Sequence, residues 1–242
     1  MGIQILKNLE SEESAIMPQT VYKIYDVIER QYQFYKDWSK MHESTLWKQL
    51  CLCILSSNVN FESARSALNH LSKKGFLRSE FILKKRSSQK IIFNELTKSL
   101  YLPPRIDGNL RKYRFPLVRA KNIVDAANHI YSDGHSIRQT LKEIDSEIEA
   151  RNYLAKNISG LGLKESSHFL RNIKFSSSLA IIDVHILSFL EELGLILSDR
   201  KMISQNEYLK LEELMQNISK IYGMHLSILD NAIWYYMRYR KF

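Results

Sequence analysis

The chain has 242 residues, 35 basic against 26 acidic side chains for a net charge of +9, and 45% hydrophobic residues with only eight glycines and four prolines. This is enough apolar chain for one domain or two small ones, and it excludes a disordered, collagenous or disulfide-framed protein. The positive excess, with an isoelectric point near 9.4, suits a polyanionic partner, although many basic proteins bind no nucleic acid.

Apolar spacing is helical nearly throughout, so an all-α fold is expected. Val21, Ile24, Tyr25, Ile28, Tyr32, Tyr35 and Trp38 recur at three and four, predicting one long helix whose aromatic stripe reads as core rather than as a base-stacking surface. A second helix is predicted over Leu46 to Leu55. It carries the only cysteines, Cys51 and Cys53, whose C-x-C spacing points them in different directions on a helix, away from a disulfide. Two cysteines are also too few for a four-cysteine iron–sulfur cluster. A third helix runs from about Asn60 to Lys74 and stops at Gly75. Tyr101 to Phe115 is the clearest loop, with Pro103, Pro104 and Gly108 among the bases Arg105, Arg111, Lys112 and Arg114. Pro116 then starts a helix through Ile123 and Ile130 that Gly134 ends. Ser204-Gln-Asn-Glu207 is a capping box for a helix ending near Gly223, and a last helix holds Leu226 to Met237. No strand alternation, internal repeat or low-complexity tract stands out. Asn157-Ile-Ser159 and Asn217-Ile-Ser219 match a glycosylation pattern by chance. No apolar run reaches the roughly 18 residues of a membrane helix and the N-terminus lacks a secretory pattern, so a soluble intracellular (cytoplasmic) protein is expected, with no membrane partner.

The most informative stretch is Ile158-Ser-Gly160-Leu161-Gly162-Leu-Lys164, followed by Leu179-Ala-Ile-Ile182-Asp183-Val-His185. A G-x-G between apolar residues permits a tight hairpin whose N–H groups face an anion from the start of the next helix. Lys164 falls in that helix's first turn, where the dipole disfavours an ammonium and helps to keep part of the side chain as free amine, a nucleophile. Asp183 follows an apolar run, at the edge of the core, where weak screening strengthens its electrostatics.

These residues carry a resemblance to a known superfamily. Leu55-Ser-Ser-Asn58-Val-Asn60, Arg114-Phe-Pro-Leu-Val-Arg-Ala-Lys-Asn-Ile123, Gly160-Leu-Gly-Leu-Lys164 with Arg171-Asn172, Ile182-Asp-Val-His185, Leu229-Asp and Ile233-Trp-Tyr-Tyr-Met237 resemble the helix-hairpin-helix DNA glycosylases from about residue 47 to the end. The likeness is nearest to the archaeal-type 8-oxoguanine DNA glycosylase/lyases. Branches of that superfamily with an iron–sulfur cluster are disfavoured by the cysteine count. The resemblance implies two helical domains, a central one at 59–173 ending in the hairpin and another built from 1–58 and 174–242, with the active site in the cleft between them. It implies a bifunctional enzyme of base excision repair that excises 8-oxoguanine and cleaves the abasic site, needs no organic cofactor, and binds as a monomer to double-stranded DNA containing an oxidised base.

By the same resemblance Lys164 attacks C1′ and holds the sugar as a Schiff base, whereas its plain alternative is a solvated helix lysine. Asp183 stabilises positive charge on the sugar or assists deprotonation around Lys164. The alternative is an N-cap for the helix starting at Val184, and both can hold. Gly160 and Gly162 grip phosphate, and Arg171 and His185 also face DNA, although His185 serves equally as a structural histidine. His185 and His168 lack the further ligands of a metal site; a monovalent cation fits instead, held by the carbonyls of Lys156, Ile158 and Leu161. Asn58 would enter the gap left by the extruded nucleotide and bond the orphaned base, or else be a turn former. 8-Oxoguanine presents a donor at N7 where guanine has an acceptor, so its pocket should offer an acceptor there. Trp234 and the tail with Phe242 are the pocket candidates. The archaeal-type tail typically ends in lysine, and Arg240-Lys241-Phe242 departs from it. The rivals are the same chemistry on another oxidised base, and a noncatalytic helix-hairpin-helix module that only grips DNA.

Overall fold

A computed structural model describes residues 4–5, 17–32, 38–98, 101–197 and 203–240. Among them are twelve α-helices and one antiparallel pair of two-residue strands, β1 (Gln4–Ile5) and β2 (Ile196–Leu197). The chain divides into two compact units, Asp37–Ile173 and the pair Met1–Lys36 with Lys174–Phe242.

The central unit is built on α2 (Glu43–Ser56), every residue of which is buried from Leu50 to Leu55. A helix apolar on all sides needs neighbours on all sides. It finds them in α3 (Phe61–Lys73), α6 (Pro116–Tyr131), α7 (Ile137–Lys142) and α9 (Leu163–Asn172). This is why the first boundary falls at 36/37 rather than at the expected 58/59: removing α2 would unroof the core that the hairpin helix packs on. Glu43 ties the unit together by accepting the Tyr131 hydroxyl at 2.9 Å and the amide of Ile137, at the start of α7, at 2.8 Å. The expected third helix, the Pro116 helix and the turns at Gly75 and Gly134, both at positive φ, all form. Sequence periodicity missed α4 (Ser79–Lys84), α5 (Ser88–Leu96), α7 and α8 (Glu147–Asn157); six residues, the length of α4 and α7, complete fewer than two turns and show no period.

In the other unit α1 (Gln19–Tyr32) and α10 (Val184–Glu192) pack on α12 (Leu226–Tyr239), with α11 (Gln205–Ile221) alongside. Val21 and Tyr25 bury the expected stripe. Of the long helix expected through Trp38, α1 is described over Gln19–Tyr32, Tyr35 lies outside the described residues, and Trp38–Lys40 is a 3-10 turn rather than α-helix. The Ser204–Glu207 capping box forms in full, the Ser204 hydroxyl accepting the Glu207 amide while the Glu207 carboxylate accepts the Ser204 amide. No helix of the described residues is long and apolar enough to cross a membrane.

Candidate active site

The hairpin starts where α8 runs out. Ile158 donates its amide to Leu154 O, its own carbonyl takes the Leu161 amide at 3.1 Å, and Gly160 turns the chain at φ +88°. Only glycine suits that position twice over, because a Cβ there would also lie 2.9 Å from Asn122 Cγ. Asn122, on α6, is held in place by donating to Val118 O and accepting from Arg119 Nη1, both at 3.2 Å. Gly162 has a different reason. Its φ of −103° suits any residue, but it is the N-cap of α9, and a Cβ would sit 3.3 Å from Glu165 Oε2. That oxygen accepts the Gly162 amide at 3.3 Å, and Glu165 Oε1 lies 3.4 Å from Lys164 Nζ. The buried Glu165 carboxylate therefore fixes both the hairpin end and the lysine. Lys164 keeps 34% of its side chain exposed.

On α9, Glu165, Ser166, Ser167, Phe169 and Leu170 are buried, and Lys164, His168 and Arg171 form a half-buried stripe at i, i+4 and i+7. Burial first, and the charges of Arg171 and Lys164 second, push the His168 imidazole down to about 3, so it is neutral at pH 7. Behind the helix, burial raises the Cys53 thiol, with Glu165 adding to the rise. Both cysteines are buried and unpaired, as the C-x-C spacing implied.

Asp183 stands in the other unit at the end of an extended segment. That segment is locked by buried carboxylates: Ala180 donates its amide to Glu212 Oε1 at 3.1 Å, and Ile181 donates to Asp230 Oδ2 at 2.6 Å. Asp183 caps α10, its Oδ1 accepting the amides of His185 at 2.8 Å and Ile186 at 3.1 Å. The His185 ring meets Trp234 edge-on at 6.0 Å, and the Arg238 guanidinium lies 4.9 Å over that indole. Phe242 lies outside the described residues. Asn58, back in the central unit, is an exposed turn residue at φ +56°. Arg119 Nη2 donates to Ser57 O at 2.6 Å and the Tyr113 hydroxyl to Leu55 O, so this turn is pinned on both sides.

A family model of 8-oxoguanine DNA glycosylases matches residues 27–224. The chain belongs to the 8-oxoguanine DNA glycosylase family. Relatives in it include the 8-oxoguanine DNA glycosylase/AP lyase of Sulfurisphaera tokodaii, 36% identical over 211 residues that cover 86% of this chain and 89% of that protein. The protein of the same description from Sulfolobus acidocaldarius is 33% identical over 86% of this chain and 89% of its own length. Among solved structures, the Methanocaldococcus jannaschii 8-oxoguanine glycosylase/lyase in complex with a 15mer DNA containing 8-oxoguanine is similar with a TM-score of 0.72 and 29% identity, over 90% of this chain and 94% of that one. The 8-oxoguanine DNA glycosylase of Thermotoga maritima is similar at 0.63 and 26%, over 89% and 87%.

For this member of the 8-oxoguanine DNA glycosylase family, the residues singled out in the sequence thus form two groups. Gly160, Gly162, Lys164, Arg171 and Asn58 belong to the central unit; Asp183, His185 and Trp234 belong to the other. Four residues with structural work at the site went unrecognised. Glu165 was visible in principle, because glutamate three places after an N-cap is capping-box spacing. Asn122, Glu212 and Asp230 act across distances that no local pattern encodes. No group of three or more His, Cys, Asp or Glu among the described residues has the arrangement of a metal site. Of the three carbonyls considered for a monovalent cation, that of Ile158 already accepts the Leu161 amide.

Proposed function

We infer that this chain is a bifunctional 8-oxoguanine DNA glycosylase and abasic-site lyase in which Lys164 is the nucleophile and Asp183 the assisting carboxylate. The observation that carries the reading is the placement of Lys164: first turn of the helix after the Gly160–Gly162 hairpin, ammonium located by Glu165, in a chain of this family. The lysine amine, once deprotonated, donates its lone pair to C1′ of the damaged nucleotide. The C1′–N9 bond breaks and its electrons leave with the base, which is protonated. Opening of the C1′–O4′ bond gives the Schiff base, and the imine acidifies C2′. Loss of a C2′ proton then expels the 3′ phosphate by β-elimination. Positive charge that builds on the sugar as the base departs is offset by the Asp183 carboxylate, which also serves as proton acceptor around the amine. The amides of His185 and Ile186 both bond Asp183 Oδ1 and so hold the carboxylate in one orientation.

The hairpin supplies the grip. The amides at the start of α9 have no partner within their helix and carry the positive end of its dipole, the arrangement that binds a DNA phosphate. Arg171 on the same helix, and His185 beside Asp183, add backbone contacts, while Trp234 offers a face for the extruded base. The protein works on double-stranded DNA inside the cell.

The test is reductive trapping. Borohydride should fix the protein covalently to an 8-oxoguanine duplex, and Lys164→Gln should abolish the adduct while keeping affinity within a few-fold. A Lys164→Gln protein that still traps would remove Lys164 as nucleophile, and a native protein that binds without trapping or cleaving would reduce the chain to a binding module. Running the same assay across single-lesion duplexes reads the base preference.

A further inference from the structure

The chain caps α9 and α11 with a glutamate three places after the N-cap, and the two caps close differently. At α11 the Glu207 carboxylate accepts the Ser204 amide at 2.7 Å. At α9 the matching bond, from the Gly162 amide to Glu165 Oε2, is 3.3 Å long, past the roughly 2.7–3.2 Å of a well-made N–H···O bond. The lysine contacts differ in the same way. Lys98 reaches the Glu95 carboxylate at 2.7 Å, whereas Lys164 Nζ stands 3.4 Å from Glu165 Oε1.

The Glu165 carboxylate is therefore stretched between two donors and closed on neither. Its side chain is only 12% exposed, so water does little to complete it. Neighbouring side chains on a helix point about 100° apart. A contact between residues 164 and 165 arises here because the capping carboxylate folds back over the helix start.

Both donors belong to the reaction: the Gly162 amide to the hairpin that grips phosphate, and Nζ to the nucleophile. A phosphate arriving at that amide meets a carboxylate already on it, and two anions on one N–H repel each other. We propose that Glu165 is a second catalytic carboxylate, which yields the hairpin amide to a DNA phosphate, closes on Lys164 and takes the ammonium proton. One N–H bond of the ammonium breaks, its electron pair stays on Nζ as the attacking lone pair, and the proton forms an O–H bond at Oε1. The resulting acid returns its proton to solvent, which reaches the pair because 34% of the lysine side chain is exposed. Phosphate binding thereby readies the nucleophile, and the free protein holds it in reserve. The inference rests on Lys164 being the nucleophile and leaves the Asp183 role at the sugar as it stands.

Glu165→Gln separates charge from capping. Glutamine offers the Gly162 amide the same acceptor oxygen, so the melting temperature should stay native. On undamaged duplex, anisotropy titration should show about fivefold tighter binding, because the like charge beside the phosphate is gone. The slope of log affinity against log salt should not change, since no phosphate contact is added. On a duplex with a ready-made abasic site and saturating protein, borohydride trapping should slow about a hundredfold, the loss of one general base. A carboxylate that only capped the helix would give equal or weaker binding and a native trapping rate. Glu165→Ala opens room beside Nζ, where formate should speed trapping about tenfold while chloride at the same ionic strength does not. Binding no tighter in Glu165→Gln, a native trapping rate in that variant, or no response of Glu165→Ala to formate overturns the proposal. Trapping by Lys164→Gln would instead strike the nucleophile reading, and the affinity of Glu165→Gln for undamaged duplex would still judge the hold on the hairpin amide.

Discussion

Asp183 shows how one side chain can meet a structural and a chemical demand at once, and substitution can part them. Asparagine caps a helix about as well as aspartate, because a neutral carbonyl oxygen also accepts the amides of His185 and Ile186. Asp183→Asn should therefore keep the melting temperature and lose base excision, whereas Asp183→Ala should lose excision and also about 1 kcal/mol of stability. Full excision by Asp183→Asn would reduce the residue to a cap. Gly160 is the complementary case, where backbone shape is the whole function. Gly160→Val places a β-branched residue at φ +88° and drives it into Asn122. It should cost about 2 kcal/mol or more and weaken damaged and undamaged duplexes equally, since backbone contacts position and do not specify. Calorimetry and gel-shift titration read the two effects, and a loss confined to lesion DNA would contradict the assignment. Gly162→Ala should be milder because its φ needs no glycine.

Between elements of the central unit, the main charged tie is Glu95 on α5. His70 and Lys98 contact its carboxylate at 2.7 Å and Lys74 at 3.3 Å. Burial alone would raise this carboxyl, but the bonds from Lys98, His70 and Lys74 outweigh it and hold it at about 2, below its ordinary 4.5. A depressed carboxyl binds its proton more readily in the unfolded chain, so its stabilisation is complete above about pH 4.5 and drains away as pH falls from there toward 2. Chemical denaturation between pH 6 and pH 3 should show the native midpoint falling. Glu95→Gln should start roughly 1–3 kcal/mol lower near neutrality and fall less steeply. Parallel curves for the two proteins would show that the cluster carries no linkage.

At the scale of the whole molecule, the chain's two ends make a unit together. α1 packs on α12, where Tyr25 accepts the His225 amide at 2.9 Å on its hydroxyl and donates that hydroxyl to Glu29, and the Met17 amide reaches the Tyr222 hydroxyl. Removing residues 1–36 would uncover the apolar side of α12, which carries the buried Ile228, Leu229, Ala232 and Ile233. The truncated protein should melt lower, expose surface to hydrophobic dye, and lose excision along with the Asp183 support. An unchanged melting temperature would show the N-terminal helix to be an appendage.

The sequence by itself determined the helices with strong punctuation: α3 between Asn60 and Gly75, α6 between Pro116 and Gly134, and α11 behind its capping box. These features are local, a few residues competing for one backbone conformation, so proximity in sequence is enough to read them. The glycine hairpin, Lys164 and the aspartate after an apolar run were legible for the same reason, and they sufficed to indicate the family. Tertiary structure alone decided the rest. It assigned α2 to the central unit, because a helix buried on every face belongs wherever its neighbours lie. It set Asn122 against Gly160, and Glu212 and Asp230 on the segment that delivers Asp183. Each of these depends on partners tens of residues away, brought within a few ångströms only when burial of the apolar faces closes the chain on itself.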